Sequence, residues 1–185
     1  MLDDSSPWVT FGALRAYRYV RFRSPWPPDA EYNDSSGRFN NGIRFTLYVA
    51  DDVMGATAEF YRRNPEFLDD QSIADIRVFA LDLVIPGRCL DVRTQAYAHA
   101  VGVTFDRLRS NDSNEAVRYA ECRALAEVVE PLGCGIAFPS AAYVTPSPWC
   151  LVLFGRPSNA TWRCASYTEI ATPIISPSEV RQVPA

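Results

Sequence analysis

The sequence predicts a mixed α/β (α+β) domain, and three observations carry that reading. Runs rich in β-branched and aromatic residues alternate with amphipathic helical stretches. Their order is not a strict βαβα repeat, so a doubly wound parallel sheet is not expected. The 185 residues show no internal repeat and no low-complexity linker, which suits a single domain spanning 1–185.

Leu14 to Phe22 reads as the first strand, ended by Ser24-Pro25-Trp26-Pro27-Pro28. A long turn-rich loop follows to Gly42 and carries Gly37-Arg38-Phe39-Asn40; loops of this length are often functional. Arg44 to Ala50 reads as a second strand. Asp51 or Asp52 then caps a helix to about Arg63, with Val53, Ala56 or Thr57, and Phe60 on its apolar face. Ile76 to Val84 is a third strand, stopped by Pro86-Gly87. Residues 94–109 read as one or two short helices.

Asp112-Ser113-Asn114-Glu115 resembles a capping box opening a longer helix. The apolar stripe expected there is Val117, Ala120, Ala124, Leu125, Val128 and Leu132, with Gly133 as the stop. Short strands follow near Gly135 to Phe138 and Cys150 to Phe154, and the stretch from Trp162 to Ile175 adds one more. The tail 173–185 is expected to fray.

Composition narrows the function classes. No stretch approaches the roughly 18 apolar residues of a membrane span, and the acidic N-terminus lacks signal-peptide features; a cytoplasmic location is expected. A formal charge of −4 argues against direct nucleic-acid binding. Arg15, Arg18, Arg21, Arg23, Arg38 and Arg44 nonetheless crowd the first quarter of the chain. Most of these suit an ion-paired surface.

The five cysteines are odd in number and form no Cys-x-x-Cys, so neither a disulfide framework nor a zinc site is indicated. Reduced, mostly buried thiols are expected. No metal and no prosthetic group is expected. The one histidine, His99, has no nucleophile motif nearby. Chemistry here must rely on carboxylates, arginines and hydroxyls. Gly-x-Gly-x-x-Gly and Walker patterns are both missing, so any bound nucleotide sits in another geometry.

Four residues stand out, each beside a plainer reading. Arg18 shares a strand face with Ala16, Val20 and Phe22, and a buried guanidinium needs a partner. Taken alone it suits an internal ion pair; its planar fork also suits a diphosphate. Glu59 lies in Ala56-Thr57-Ala58-Glu59-Phe60, where small neighbours let a ligand approach; alone it reads as a surface glutamate. Tyr48 is a strand tyrosine whose flat face can take an aromatic ring. Ser140 follows Gly135-Ile136-Ala137-Phe138-Pro139 and reads either as a turn residue or as a hydroxyl for ribose or phosphate.

Together these segments resemble the RES domain family. The matching pieces are Tyr17-Arg18-Tyr19, Gly37-Arg38-Phe39-Asn40, Leu47-Tyr48-Val49-Ala50, Ala56-Thr57-Ala58-Glu59, and Gly135 to Ser140 followed by Leu151-Val152-Leu153-Phe154. Phe39 stands where the family often has tryptophan, and Ala141 and Ala142 follow Ser140 where an arginine is common. The resemblance implies an ADP-ribosyltransferase-like fold, a mixed, split β-sheet flanked by helices, with the motif-bearing core at about 14–172. It implies an NAD+-consuming toxin held inactive by an antitoxin with a helix-turn-helix DNA-binding region. By the same similarity Arg18 and Arg38 hold the NAD+ phosphates and Tyr19 and Tyr48 line the nicotinamide side. Glu59 is the catalytic carboxylate, and Ser140 completes the site. A homodimer is expected by analogy only. Arg18 and Tyr19 are adjacent, so a regular strand sends them to opposite faces, and only a bulge or strand end unites them.

The implied reaction needs little machinery. Nicotinamide leaves NAD+ as a neutral molecule and requires no general acid, so one carboxylate suffices where ordinary glycosidases use two. The acceptor stays open among water, phosphate and a protein side chain. So do two other readings: a non-catalytic nucleotide-binding module, and a contact-dependent effector with an unrelated immunity protein.

Overall fold

The computed structural model describes residues 2–21, 27–29, 37–40, 42, 44–68, 76–109, 115–142 and 148–181, and of 115–118 the backbone alone. Eight strands form one sheet: β1 (Trp8–Val9), β2 (Gly12–Arg21), β3 (Thr46–Ala50), β4 (Ile76–Ile85), β5 (Cys89–Asp91), β6 (Gly135–Pro139), β7 (Trp149–Phe154) and β8 (Arg163–Ile170). The helices are α1 (Val53–Arg63), α2 (Gln95–Ala100), α3 (Phe105–Leu108) and α4 (Glu115–Val129). The sheet order is β1-β5-β6-β7-β3-β2-β4-β8. Only β5 and β6 run parallel; every other neighbouring pair is antiparallel. The expected strands at 14, 44, 76, 135, 150 and 162 are all present, and the two short ones, β1 and β5, carry too little sequence for a periodicity to show.

Period-two alternation sorts the sheet residues onto two faces. On one face Cys150, Val152 and Phe154 of β7, with Ile136 and Phe138 of β6, pack beneath Cys122, Leu125, Ala126 and Val129 of α4. On the other face Leu151, Leu153, Leu47, Val49, Ala16, Val20, Leu81 and Leu83 meet around the fully buried Trp162. That second cluster draws on six strands, β2 to β7, and on no helical residue. The sheet therefore curls over its own apolar face, and β6 and β7, covered on both sides, read as continuous apolar runs.

One junction is weak. β2 and β3 share a single register pair, Tyr17↔Ala50, whereas β2 and β4 stay in register from Gly12↔Ile85 to Arg21↔Ile76. Two residues further along, Tyr19 and Tyr48 would oppose each other, but no pairing continues there. This is the split expected of the fold, and the two tyrosines stand on its lips.

Helix α1 spans this region. Asp52 caps it by accepting from the Gly55 amide, and Asn64 closes its other end. Gly55, Ala56, Thr57 and Ala58 are all buried, so their small size serves close packing of the helix on the sheet.

Two expectations are corrected. The stripe placed on α4 is out of phase: Ala120, Ala124, Val128 and Leu132 are exposed, while Tyr119, Cys122, Leu125, Ala126 and Val129 are buried. Apolarity alone misphased the helix, because an amphipathic tyrosine and a cysteine occupy the inward face. The side chain of Val117, and the capping segment 112–114, fall outside what is described. The described part of the tail, 173–181, also packs: Ile175 and Val180 are buried against Ala58, Phe60 and Tyr61 of α1, and the Arg181 amide donates to the Ala142 carbonyl at 2.8 Å. Among the described residues no helix is long and apolar enough to cross a membrane.

Gly135 sits where β6 meets both neighbours, and an added Cβ would run into the Val152 carbonyl oxygen. Gly135→Ala is therefore expected to destabilise the fold by about 1–3 kcal/mol through forced backbone movement, read as a lower midpoint in urea at unchanged slope.

Candidate functional site

Glu59 projects from the middle of α1 toward the ends of β6 and β7. Its carboxylate is held from both sides. Oε2 accepts from Arg62 Nη2 at 3.0 Å and from Arg62 Nε at 3.2 Å. Oε1 accepts from Ser140 Oγ at 3.1 Å, with the Cys150 thiol at 3.9 Å. Arg62 lies three residues on, one helical turn away, and is itself buried. Ser140 is fixed in turn: its amide donates to the Pro148 carbonyl, and its Oγ accepts from the Ala142 amide.

Burial alone would push the Glu59 carboxyl up. The charges of Arg62, then Arg38, then Arg63 outweigh it and hold the carboxyl down at about 2. Glu59 is thus a fully ionised carboxylate at neutral pH, with three guanidinium groups acting on it.

Arg38 completes the group from the loop before β3. It is buried, with its guanidinium carbon 5.7 Å from the Tyr119 ring centroid and 5.8 Å from that of Phe138. Its Nη1 atom is buried and has no hydrogen-bond partner among the described residues. Burial, and then the Arg62 charge, lower its proton affinity. A buried guanidinium nitrogen without an acceptor is costly, and an anionic ligand would relieve it.

Tyr48 positions that loop. Its hydroxyl accepts from the Phe39 amide at 2.8 Å, and Gly37 lies so close that an added Cβ would sit 2.6 Å from the same oxygen. Burial pushes the Tyr48 hydroxyl well above its ordinary value. Arg44 holds the loop from the other side, donating to the Phe39 carbonyl at 2.8 Å and pairing with Glu130 at 2.6 Å. Tyr19 packs edge-on against Phe60 at 5.4 Å, and it is the group that most strongly raises the Arg63 guanidinium.

Glu59, Ser140 and Arg38 are therefore brought together, with Tyr48 bound to the Arg38 loop and Tyr19 beside α1. Arg18 is not. β2 runs in register with β4 through Arg18↔Phe79 and Tyr19↔Val78 with no bulge, so the two side chains leave on opposite faces. Arg18 shares its face with Ala16 and Val20, away from α1, and its Nη1 donates to the Pro28 carbonyl at 3.0 Å. The expected convergence of Arg18 with Tyr19 is corrected on this ground.

The remaining arginines of the first quarter are largely structural. Arg15 pairs with Asp82 and Arg21 donates to Asn64, while Arg23 lies outside the described residues. His99 is exposed on α2. Arg62 was missed by reading the sequence, although Glu59 and Arg62 have the spacing of a helical ion pair. Tyr119 was missed through the phase of α4, and Cys150 was counted only as one of the buried thiols.

The mixed, split sheet flanked by helices is an ADP-ribosyltransferase-like fold. The RES domain family model matches residues 11–172, and the chain belongs to the RES domain family. Among solved structures, a chain of the M. tuberculosis MbcT–MbcA toxin–antitoxin complex is similar, with a TM-score of 0.62 and 16% identity over 89% of this chain and 87% of that one. None of the curated proteins matches.

The depressed Glu59 carboxyl links stability to pH. Folded Glu59 keeps its charge down to about 2, whereas the unfolded group protonates near 4.5. Its contribution is complete above pH 4.5 and is lost as pH falls toward 2. Acid titration of unfolding free energy should show roughly 3 kcal/mol from this group over that window, and Glu59→Gln should remove that component. Tyr48→Phe, which deletes the acceptor for the Phe39 amide, should cost about 1 kcal/mol in chemical denaturation.

Proposed function

We propose that this protein is an NAD+-degrading toxin that cleaves the bond between nicotinamide and ribose. The observation that carries the proposal is the Glu59 carboxylate, ionised although largely buried, beside an Arg38 whose Nη1 has no acceptor among the described residues. The arginines suit the diphosphate of a dinucleotide. The carboxylate suits the positive charge that develops on ribose as the pyridinium departs.

A carboxyl held at about 2 is a weak base. Glu59 therefore acts by charge and by accepting a hydrogen bond from a ribose hydroxyl, and proton abstraction is not its task. Ser140, which donates to Oε1, is placed to exchange that bond for one to the sugar. Tyr19 and Tyr48 line the opening where the nicotinamide ring would enter. Arg38 takes a phosphate. Arg18, on the far face, has no part in this assignment. Positioning the dinucleotide over the carboxylate supplies the rest of the rate.

The family and the toxin–antitoxin neighbour support a second part of the proposal, that an antitoxin partner blocks the site. An antitoxin carrying a helix-turn-helix region would do so, and the chain would act in the cytoplasm. One feature favours a different reading: both Glu59 oxygens already have partners inside the protein, as in a purely structural ion cluster. That reading makes the chain a nucleotide-binding module without turnover.

Nicotinamide release from NAD+ by the purified protein, with water, phosphate or a cell lysate as acceptor source, separates the readings. Activity is expected, and Glu59→Gln should lower it by roughly 10²–10³-fold. Ser140→Ala should lower it less, and its circular dichroism should match the parent. Between pH 5 and 8 the rate should show no step from Glu59. A parent protein inert with every acceptor, or a Glu59→Gln variant of full activity, would overturn the assignment.

A further inference from the structure

A second reactive group lies outside the Glu59 site. Cys89 Sγ and Cys134 Sγ are 3.4 Å apart, inside the apolar cluster on the far face of the sheet. Both residues are buried, and both are thiols in this structure. The sheet ladder imposes the contact. Cys89 pairs with Gly135 in the parallel β5–β6 register and with Val9 in the antiparallel β1–β5 register. The Cys134 amide donates to the Arg88 carbonyl at 2.8 Å, and its carbonyl accepts from the Phe154 amide at 2.8 Å. On one flank the Gly87 backbone closes in: an added Cβ there would sit 2.8 Å from Cys134 Sγ. With both backbones fixed, each sulfur has the other as its neighbour.

We propose that Cys89 and Cys134 form an oxidisable dithiol, a modification site that a hydroperoxide converts into an intramolecular disulfide. In the first step Cys134 sulfur, as thiolate, attacks one peroxide oxygen. The O–O bond breaks, the sulfur becomes a sulfenic acid, and the other oxygen leaves as water after taking up a proton. In the second step Cys89 sulfur, giving up its proton, attacks the sulfenic sulfur. The S–O bond breaks, the S–S bond forms, and a second water leaves. In sum two thiols and one hydrogen peroxide give one disulfide and two waters, and peroxide takes both electrons.

The order of attack follows from the pair itself. The hydrogen bond between the sulfurs lowers the Cys134 thiol and raises that of Cys89, so Cys134 ionises first. The oxidant must be small and uncharged to reach a buried pair. The other cysteines are built differently: burial, and then the Glu59 carboxylate, raise the Cys150 thiol far above the ordinary value, and burial raises Cys122 and Cys164 each to about 11.

The staple would close the chain between residues 89 and 134. That crossover carries α2, α3 and α4, including the Tyr119 ring beside Arg38. Joining its ends restricts the unfolded chain over a long loop. The proposal does not depend on NAD+ chemistry.

The test treats the reduced full chain with millimolar hydrogen peroxide, quenches it in denaturant with an alkylating reagent, and follows intact mass and a peptide map. The expected product is about 2 Da lighter before alkylation. It takes three alkyl groups instead of the five taken by the reduced chain and contains a Cys89–Cys134 cross-link. Its thermal midpoint should rise by roughly 5–10 °C and fall back with dithiothreitol. Cys164→Ser should still cross-link and Cys89→Ser should not. Should Cys89→Ser fail to fold, the peptide map of the parent protein decides. Five alkylated thiols after peroxide, a cross-link between other cysteines, or mass gains of oxygen without a cross-link would overturn the proposal.

Discussion

A carboxylate that stays charged while largely removed from water must be surrounded by charge of the opposite sign, and Glu59 meets that constraint through arginines from separate parts of the chain. Arg62 comes from the same helix, one turn away, and fixes one oxygen. Arg38 comes from the loop before β3 and contributes field without contact. Desolvation and attraction are opposed here and attraction prevails, so the group sits far on the ionised side. Removing the carboxylate would leave buried arginines facing one another, a more costly state than either the paired or the ligand-bound one. The site is thus also part of the stabilising core.

The sheet supplies the geometry that makes the carboxylate useful. Continuous pairing between β2 and β3 would close the region beside α1 with backbone hydrogen bonds. A single register pair leaves it open, and aromatic side chains from the two strands flank the gap. Tyr48 does more than flank it: its hydroxyl anchors the loop that carries Arg38, and Arg44 ties the same loop to the end of α4. The curl of the sheet over Trp162 packs the opposite face into an apolar cluster, away from the Glu59 carboxylate.

Where reading the sequence failed, it failed for identifiable reasons. The stripe on α4 was assigned by apolarity, but alanine and valine tolerate solvent while Tyr119 is needed beneath a guanidinium. The tail is expected to fray as a chain terminus; two side chains, Ile175 and Val180, suffice to dock its described part on α1. The family resemblance groups Arg18 with Tyr19, and the regular β2–β4 ladder sends the adjacent pair to opposite faces. In each case a local pattern was overruled by a contact with something distant.

By itself the sequence determined the mixed class, the positions of the long strands and of α1, and the order of the segments that carry Arg38, Tyr48, Glu59 and Ser140. These follow from side-chain alternation, capping and motif order, all of which are local. The tertiary structure alone decided that Ser140, some eighty residues from Glu59, donates to its carboxylate, that Arg62 and Tyr119 belong to the same group, and that Cys89 meets Cys134. Such meetings depend on strand order and on how far two strands stay paired, and no short-range periodicity encodes either.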